Sequence, residues 1–203
     1  SMIAARIRRL ADEKGIPVYA FVEDAAASGG YWLACAADEI WADRNSLLGS
    51  IGVIFAGFGL HEIMARNGIE RRVHTAGERK MILDPFQPEK AEDLAILREI
   101  QDEVHAAFID QVRTRRGERL SAAIEAGERL FDGSVHLGAR AVELGLADGI
   151  GHLSPVMKAK LGEETRFREY SVRRSFLQRL GLGGAAADAL GAVEARALWS
   201  RLG

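Results

Sequence analysis

Residues 18–37 leave few folds open to this chain. The apolar run Val18-Tyr19-Ala20-Phe21-Val22 reads as a strand. It meets a segment of small side chains, Asp24-Ala25-Ala26-Ala27-Ser28-Gly29-Gly30, and Tyr31 to Ala37 then reads as a helix. A strand that passes through a tight turn into a helix is the repeating unit of α/β proteins, and here it places Ser28 at the turn.

The flanking sequence keeps the alternation. Ile3, Ile7 and Leu10 form one face of a helix from Ile3 to Lys14, ended by Gly15, and Pro17 forbids its continuation. Strands are expected at Glu39 to Ala42 and Ile51 to Phe55, a helix at Leu60 to Asn67 capped by Gly68, and a strand at Ile69 to Thr75. Apolar residues recur at helical spacing from Pro88 to Arg116, which predicts one long helix with Pro88 in its first turn and Gly117 at its end. Beyond it come a short helix at Ser121 to Ala126, a brief strand and turn at Leu130 to Gly133, a helix at Val135 to Leu144 and an edge segment at Leu146 to Asp148. From Ser171 the chain changes character: Arg173, Arg174, Arg179, Arg196 and Arg201 mingle with Leu, Ala and the glycines 181, 183 and 184. This stretch reads as two short amphipathic helices around a loose joint. Packing against this or a neighbouring subunit is one reading, and peripheral association with a membrane surface is the other.

Composition narrows the function. A length of 203 residues with 48% hydrophobic and 28% charged residues suits one folded domain with an appended tail. The formal net charge of -2 gives no field that would gather nucleic acid. Cys35 is the only cysteine, so an intrachain disulfide and a cysteine metal cluster are both excluded, and a buried apolar role is expected for it. No HExxH or paired-His spacing offers metal ligands, and no metal or other cofactor is indicated. No apolar run approaches the ~20 residues that span a bilayer, and Ser1-Met2-Ile3 lacks the basic and apolar regions of a signal peptide.

Ser28 is the residue with the clearest chemical promise. A serine on a turn that opens a helix projects its Oγ from the backbone, and the amides that follow can stabilise an anionic oxygen. Gly29 and Gly30 leave space for a substrate backbone. The same local pattern also fits a plain helix N-cap. A nucleophilic serine needs a base. The five histidines, at 61, 74, 105, 136 and 152, are scattered, and a triad of Ser28, His74 and Asp84 has no local signature. Lysines are scarce, and Lys80 is followed by Met81-Ile82-Leu83, so burial there would disfavour its charged form and lower its pKa toward neutrality.

Taken together, Ala26-Ala27-Ser28-Gly29-Gly30-Tyr31, Leu48-Gly49-Ser50-Ile51-Gly52-Val53, and Ala76-Gly77 with Lys80 three residues on resemble bacterial signal peptide peptidase A and its relatives. The resemblance runs from about Gly15 to Leu153 and takes in Phe131-Asp132-Gly133 and Gly145-Leu146-Ala147-Asp148. It implies an α/β fold of the ClpP/crotonase-like kind, a spiral of βα units. Ser28 falls on the family's nucleophile, Lys80 on its general base and Ser50 on the serine that orients that lysine. Relatives carry strands and a Ser-Pro-Gly-Gly segment ahead of the first helix, and this chain starts after that point. The missing glycine loop is then expected to supply one oxyanion donor, with the amide of Gly29 as its partner. On this reading residues 1–155 form an N-terminally incomplete peptidase domain and residues 156–203 a mostly helical C-terminal extension. The implied substrates are signal peptides or other unfolded apolar peptides, and the implied assembly is a bacterial homo-oligomer whose active sites are shared between subunits. A crotonase-like acyl-CoA enzyme and a non-catalytic assembly protein of the same fold stay open as alternatives.

Overall fold

The structure, a computed structural model, describes residues 2–77 and 79–170. Helix α1 (Met2–Lys14) leads to strand β1 (Tyr19–Val22), then β2 (Ala25–Ala27), α2 (Gly29–Ala34), β3 (Glu39–Ala42) and β4 (Leu47–Gly49). Helix α3 (His61–Arg66) and the long α4 (Ala91–Arg116) follow, then a 3-10 turn at Gly117–Leu120, α5 (Ser121–Glu125), β5 (Val135–Leu137), α6 (Gly138–Glu143), β6 (Gly149–Ile150) and α7 (Leu153–Leu161). The chain is therefore mixed α/β. One compact unit runs from Ser1 to Glu163 and a second from Glu164 to Gly203. Within the second, the guanidinium of Arg168 stacks 5.0 Å above the ring of Tyr170. The expected helices beyond Ser171 lie outside the described residues.

Two three-stranded sheets organise the first unit. In one, β1, β3 and β6 are all parallel, with Tyr19 opposite Glu39 and Trp41 opposite Gly149. In the other, β2 and β4 are parallel and β5 joins β4 antiparallel, with Ala26 opposite Leu48 and Leu48 opposite His136. The core gathers Val22, Ile40 and Leu48 of the strands, Tyr31 of α2 and Ile51 after β4 together with Phe108 and Val112 of α4 and Leu144 and Leu146 from the α6 region. Arg115 ties α4 to the end of α2: its Nε donates to the Cys35 carbonyl at 2.9 Å and its Nη2 to that of Ala37 at 3.1 Å, satisfying carbonyls that a helix end leaves open.

The Gly145-Leu146-Ala147-Asp148 stretch works as a clamp. Arg116 is 2% exposed, and a buried guanidinium needs partners. Its Nη1 and Nη2 donate to Asp148 at 2.7 and 3.1 Å, and its Nε to the Gly145 carbonyl at 2.8 Å. Asp148 also accepts the Ile40 amide at 2.7 Å, so one carboxylate holds α4 against β3. Burial alone would raise the Asp148 pKa, but the hydrogen bond from Arg116, the Ile40 amide and the charges of Arg116 and Arg119 together hold it below the ordinary value.

Several expectations need correction: Ala25–Ala27, read as part of a turn, is strand β2, Leu130 to Gly133 is turn without a strand, and three further segments differ. Ile51 to Phe55 is not a strand: Ile51 is buried, but Ile54 is 87% and Phe55 52% exposed, and the pairing strand is the preceding Leu47–Gly49. Ile69 to Thr75 forms no strand either, for no ladder reaches it. Val135 to Leu144 is a strand followed by a helix, because Val135 to Leu137 extends along β4 before Gly138 starts α6. Gly138 is required there, since a Cβ would lie 2.0 Å from the Asp43 carbonyl oxygen.

Candidate active site

Strands β2 and β4 end side by side, and each hands over to a serine. Ala27 pairs with Gly49, so Ser28 and Ser50 occupy the next position on neighbouring parallel strands, whose backbones run about 4.8 Å apart. The Ser28 amide donates to the Gly49 carbonyl at 2.9 Å, extending the ladder to the turn. Both serines adopt φ of 51°, a conformation that L-residues avoid at a cost of roughly 1–3 kcal/mol.

Ser28 is exposed, with ψ of -121°, and its hydroxyl makes no capping hydrogen bond to α2. The N-cap reading therefore loses its basis: the strained backbone is kept without the stabilisation that a cap would return. Gly29 and Gly30 follow, both exposed, with open space where a Cβ would stand. As first-turn amides of α2 they have no acceptor inside the helix. The turn thus presents a hydroxyl and two unengaged N–H groups on one accessible face. From below it is fixed by Tyr31, fully buried, whose Oη donates to the Leu146 carbonyl at 2.8 Å.

Close backbone packing holds Ser50. Its amide donates to the Ser134 carbonyl at 2.8 Å. Gly49 has φ of 101°, and a Cβ on it would lie 2.9 Å from the Ser134 oxygen; one on Gly52 would lie 3.0 Å from Gly133 Cα. The Gly-Ser-Ile-Gly and Phe-Asp-Gly segments, 80 residues apart by the numbering of Ile51 and Phe131, are thus pressed together, and glycine is what permits it.

Lys80 sits in a turn in which its amide donates to the Gly77 carbonyl at 3.2 Å. It is exposed, while Met81, Ile82 and Leu83 are half-buried, so these neighbours do not supply the expected cover. Among the described residues no hydrogen bond joins Lys80 to Ser28 or Ser50. The chain brings the two serines to the ends of neighbouring strands, whereas among the described residues Lys80 is fixed only by its own turn. The segment that carries it shows a good deal of apolar surface, with Ile54 87%, Phe58 85% and Ile69 57% exposed.

Two histidines that no sequence pattern places there approach the Ser50 strand. His105 Nε2 lies 3.1 Å from the Ile51 carbonyl, a contact that requires the proton on that nitrogen. His136 faces Leu48 across the β4–β5 pair, close to Gly49, and its buried Nε2 has no hydrogen-bond partner among the described residues. Only the antiparallel pairing of β5 reveals this, and Val135-His136-Leu137 is too short to announce itself as a strand. The Ser28–His74–Asp84 arrangement finds no support: Asp84 pairs with Arg71 and accepts the Phe86 amide, and His74 is exposed. Burial, the main cause, pushes the Cys35 thiol up to about 11, so it stays protonated and inert at neutral pH. Among the described residues no cluster of His, Cys, Asp or Glu could hold a metal ion.

A family model described as peptidase family S49 matches residues 11–164. A Brucella abortus protein named Na(+)/H(+) antiporter NhaA is 45% identical over 202 residues, covering 100% of this chain and 27% of that protein. A putative signal peptide peptidase SppA from Enterococcus faecium is 30% identical over 148 residues, 73% of this chain and 41% of that one. The chloroplastic serine protease SPPA of Arabidopsis thaliana is 34% identical over 152 residues, 73% of this chain and 21% of that one. The chain spans less than half the length of each of these relatives.

Proposed function

The chain belongs to peptidase family S49, of the signal peptide peptidase A type, and we propose that it is the catalytic segment of a serine endopeptidase with Ser28 as nucleophile and Lys80 as general base. The observation that carries this reading is the turn at Ser28: a serine in a strained backbone, its hydroxyl unused by the fold, next to two free amides and beside Ser50. Ser28 Oγ attacks the peptide carbonyl as Lys80 takes its proton. The amides of Gly29 and Gly30 stabilise the oxyanion, and the protonated lysine returns the proton to the leaving amine. Ser50 accepts a hydrogen bond from Lys80 and fixes its direction. The fold is read as ClpP/crotonase-like, and the substrates as signal peptides or other unfolded apolar peptides, in keeping with the name of the Enterococcus relative.

Because Lys80 is exposed and hydrogen-bonded to neither serine among the described residues, we read the site as completed between copies, with Lys80 of one subunit meeting Ser28 of the next. The exposed Ile54, Phe58, Ile63 and Ile69 around the lysine segment support this, since apolar surface of that extent is what an interface covers. No helix among the described residues is long and apolar enough to cross a membrane, so ion transport is assigned to none of them.

Mixing tests the shared site. Ser28→Ala and Lys80→Ala should each be inactive on casein in the full-length protein, and subunit exchange between the two should restore part of the activity. Absence of activity after confirmed exchange would contradict a dyad shared between subunits. Ser50→Ala should slow turnover at unchanged substrate affinity, and an unchanged rate would remove Ser50 from the mechanism.

A further inference from the structure

One side of α4 touches both serine-bearing segments. His105, Phe108 and Val112 follow one another along it at helical spacing, and Phe108 and Val112 are buried. The Phe108 ring packs on Trp32 of α2 with centroids 4.9 Å apart, and the Trp32 amide donates to the Ser28 carbonyl at 3.0 Å. Three residues earlier on α4, His105 Nε2 donates to the Ile51 carbonyl at 3.1 Å. Helix α4 therefore braces the first turn behind Ser28 by packing and the peptide unit that follows Ser50 by a hydrogen bond.

That peptide unit is held at both ends. Ile51 lies past the end of β4, and among the described residues no backbone amide donates to its carbonyl. Ile51 is fully buried, where a carbonyl without a donor is costly, so the half-buried imidazole meets a need that the backbone leaves open. The other end of the same planar unit is the Gly52 amide, which donates to the Ser50 carbonyl at 3.0 Å and closes a three-residue turn. The amide of Ser50 is in turn held by the Ser134 carbonyl at 2.8 Å. Ser50 thus sits between two pinned peptide units, one of them pinned by His105. Its φ of 51° needs such bracing, because a strained backbone persists only where its surroundings over-determine it. The direction of the Ser50 hydroxyl follows from that backbone.

We propose that His105 is a positioning residue for Ser50. Its Nε2–H holds the Ile51–Gly52 peptide, that peptide holds the Ser50 backbone, and the imidazole acts on the general base only through the Ser50 hydroxyl. This rests on the peptidase reading, in which Ser50 orients Lys80. His105 itself touches neither substrate nor the reacting atoms.

Steady-state hydrolysis of casein by the full-length protein, expressed per folded molecule from urea unfolding measured alongside, tests the assignment. His105→Leu removes the donor at similar size, and His105→Asn keeps an amide on a side chain too short to reach the Ile51 carbonyl. Both should lower kcat by about tenfold to a hundredfold, the scale of a slightly misplaced catalytic group, at unchanged KM. Should the Leu variant not fold, the Asn variant carries the test, since the site is half-buried and accepts a polar side chain. His105→Gln places an N–H where Nε2 stands and should recover most of the rate. A merely structural histidine would lower stability in the Leu and Asn variants and leave kcat unmoved. The Ser50→Ala/His105→Asn double variant should be no slower than Ser50→Ala alone, because nothing is then left to position; losses that multiply would show that His105 acts elsewhere. With the parent protein active, an unchanged kcat in folded His105→Asn, no recovery in His105→Gln or multiplied losses in the double variant would each overturn the proposal and leave the peptidase reading standing. Casein left uncut by the parent protein would overturn both.

Discussion

Ser28 and Ser50 stand at the same level on adjacent parallel strands, one residue past the Ala27–Gly49 pair, and share a φ of 51°. The fold pays for this arrangement twice, and at Ser28 the hydroxyl gives nothing back to the helix it precedes. Ser28→Gly should therefore stabilise the protein by about 1 kcal/mol, the relief of strain less the added freedom of the unfolded chain, while removing all peptidase activity. Urea unfolding beside a casein assay reads both. A loss of stability in Ser28→Gly would mean that the side chain, not the site, had selected the turn.

The clamp at Asp148 predicts acid sensitivity. Its folded-state pKa lies below the unfolded value, so its contribution to stability is fully present above the ordinary carboxylate range, near pH 4, and is lost as pH falls through the folded value. Asp38 behaves alike: burial opposes the shift, but the Val18 amide and Arg8 hold its pKa down. Asp148→Asn should be less stable than the parent at pH 7 and should lose less on going from pH 5 to pH 3. Equal slopes in that window would show that Asp148 titrates as an ordinary surface carboxyl.

How much of this was legible beforehand depends on the length of the pattern. Helix α4 repeats its apolar period over 26 residues and β1 shows in its apolar run, whereas β2, Ala25–Ala27, lies in the small-residue segment that reads as a turn. The three-residue strands β4 and β5 carry no period. Their identity comes from pairing with each other and with β2, a tertiary effect, which is why Ile51 to Phe55 looked like the strand and why His136 went unplaced. Ser28 stands out from its local residues and Ser50 only through the family resemblance, but that they adjoin required the register. The apolar residues after Lys80 suggested burial, yet that lysine is exposed, because a local apolar run does not say which of its neighbours the fold turns inward.

Gly145 and Gly68 separate crowding from conformation. Both have positive φ, 74° and 62°, but a Cβ on Gly145 would lie 1.8 Å from the Arg119 carbonyl oxygen, while at Gly68 nothing lies within 4 Å. Gly68→Ala should cost about 1 kcal/mol, the left-handed penalty alone. Gly145→Ala should cost on the order of 3 kcal/mol, because the Arg116–Asp148 clamp must move as well. Thermal unfolding of the two variants checks the difference, and equal costs would mean that the 119–145 contact is easily displaced.

Whether Ser28 is a nucleophile is read from the rate of casein hydrolysis by full-length Ser28→Ala protein, purified in parallel with the parent. Loss of a catalytic nucleophile costs several orders of magnitude in rate, whereas loss of a cap costs about 1 kcal/mol of stability and leaves the rate intact. The expected result is a fall of at least about 1,000-fold, the order set by loss of a nucleophile, with an unchanged unfolding midpoint. Hydrolysis at the parent rate by a folded Ser28→Ala protein would contradict it.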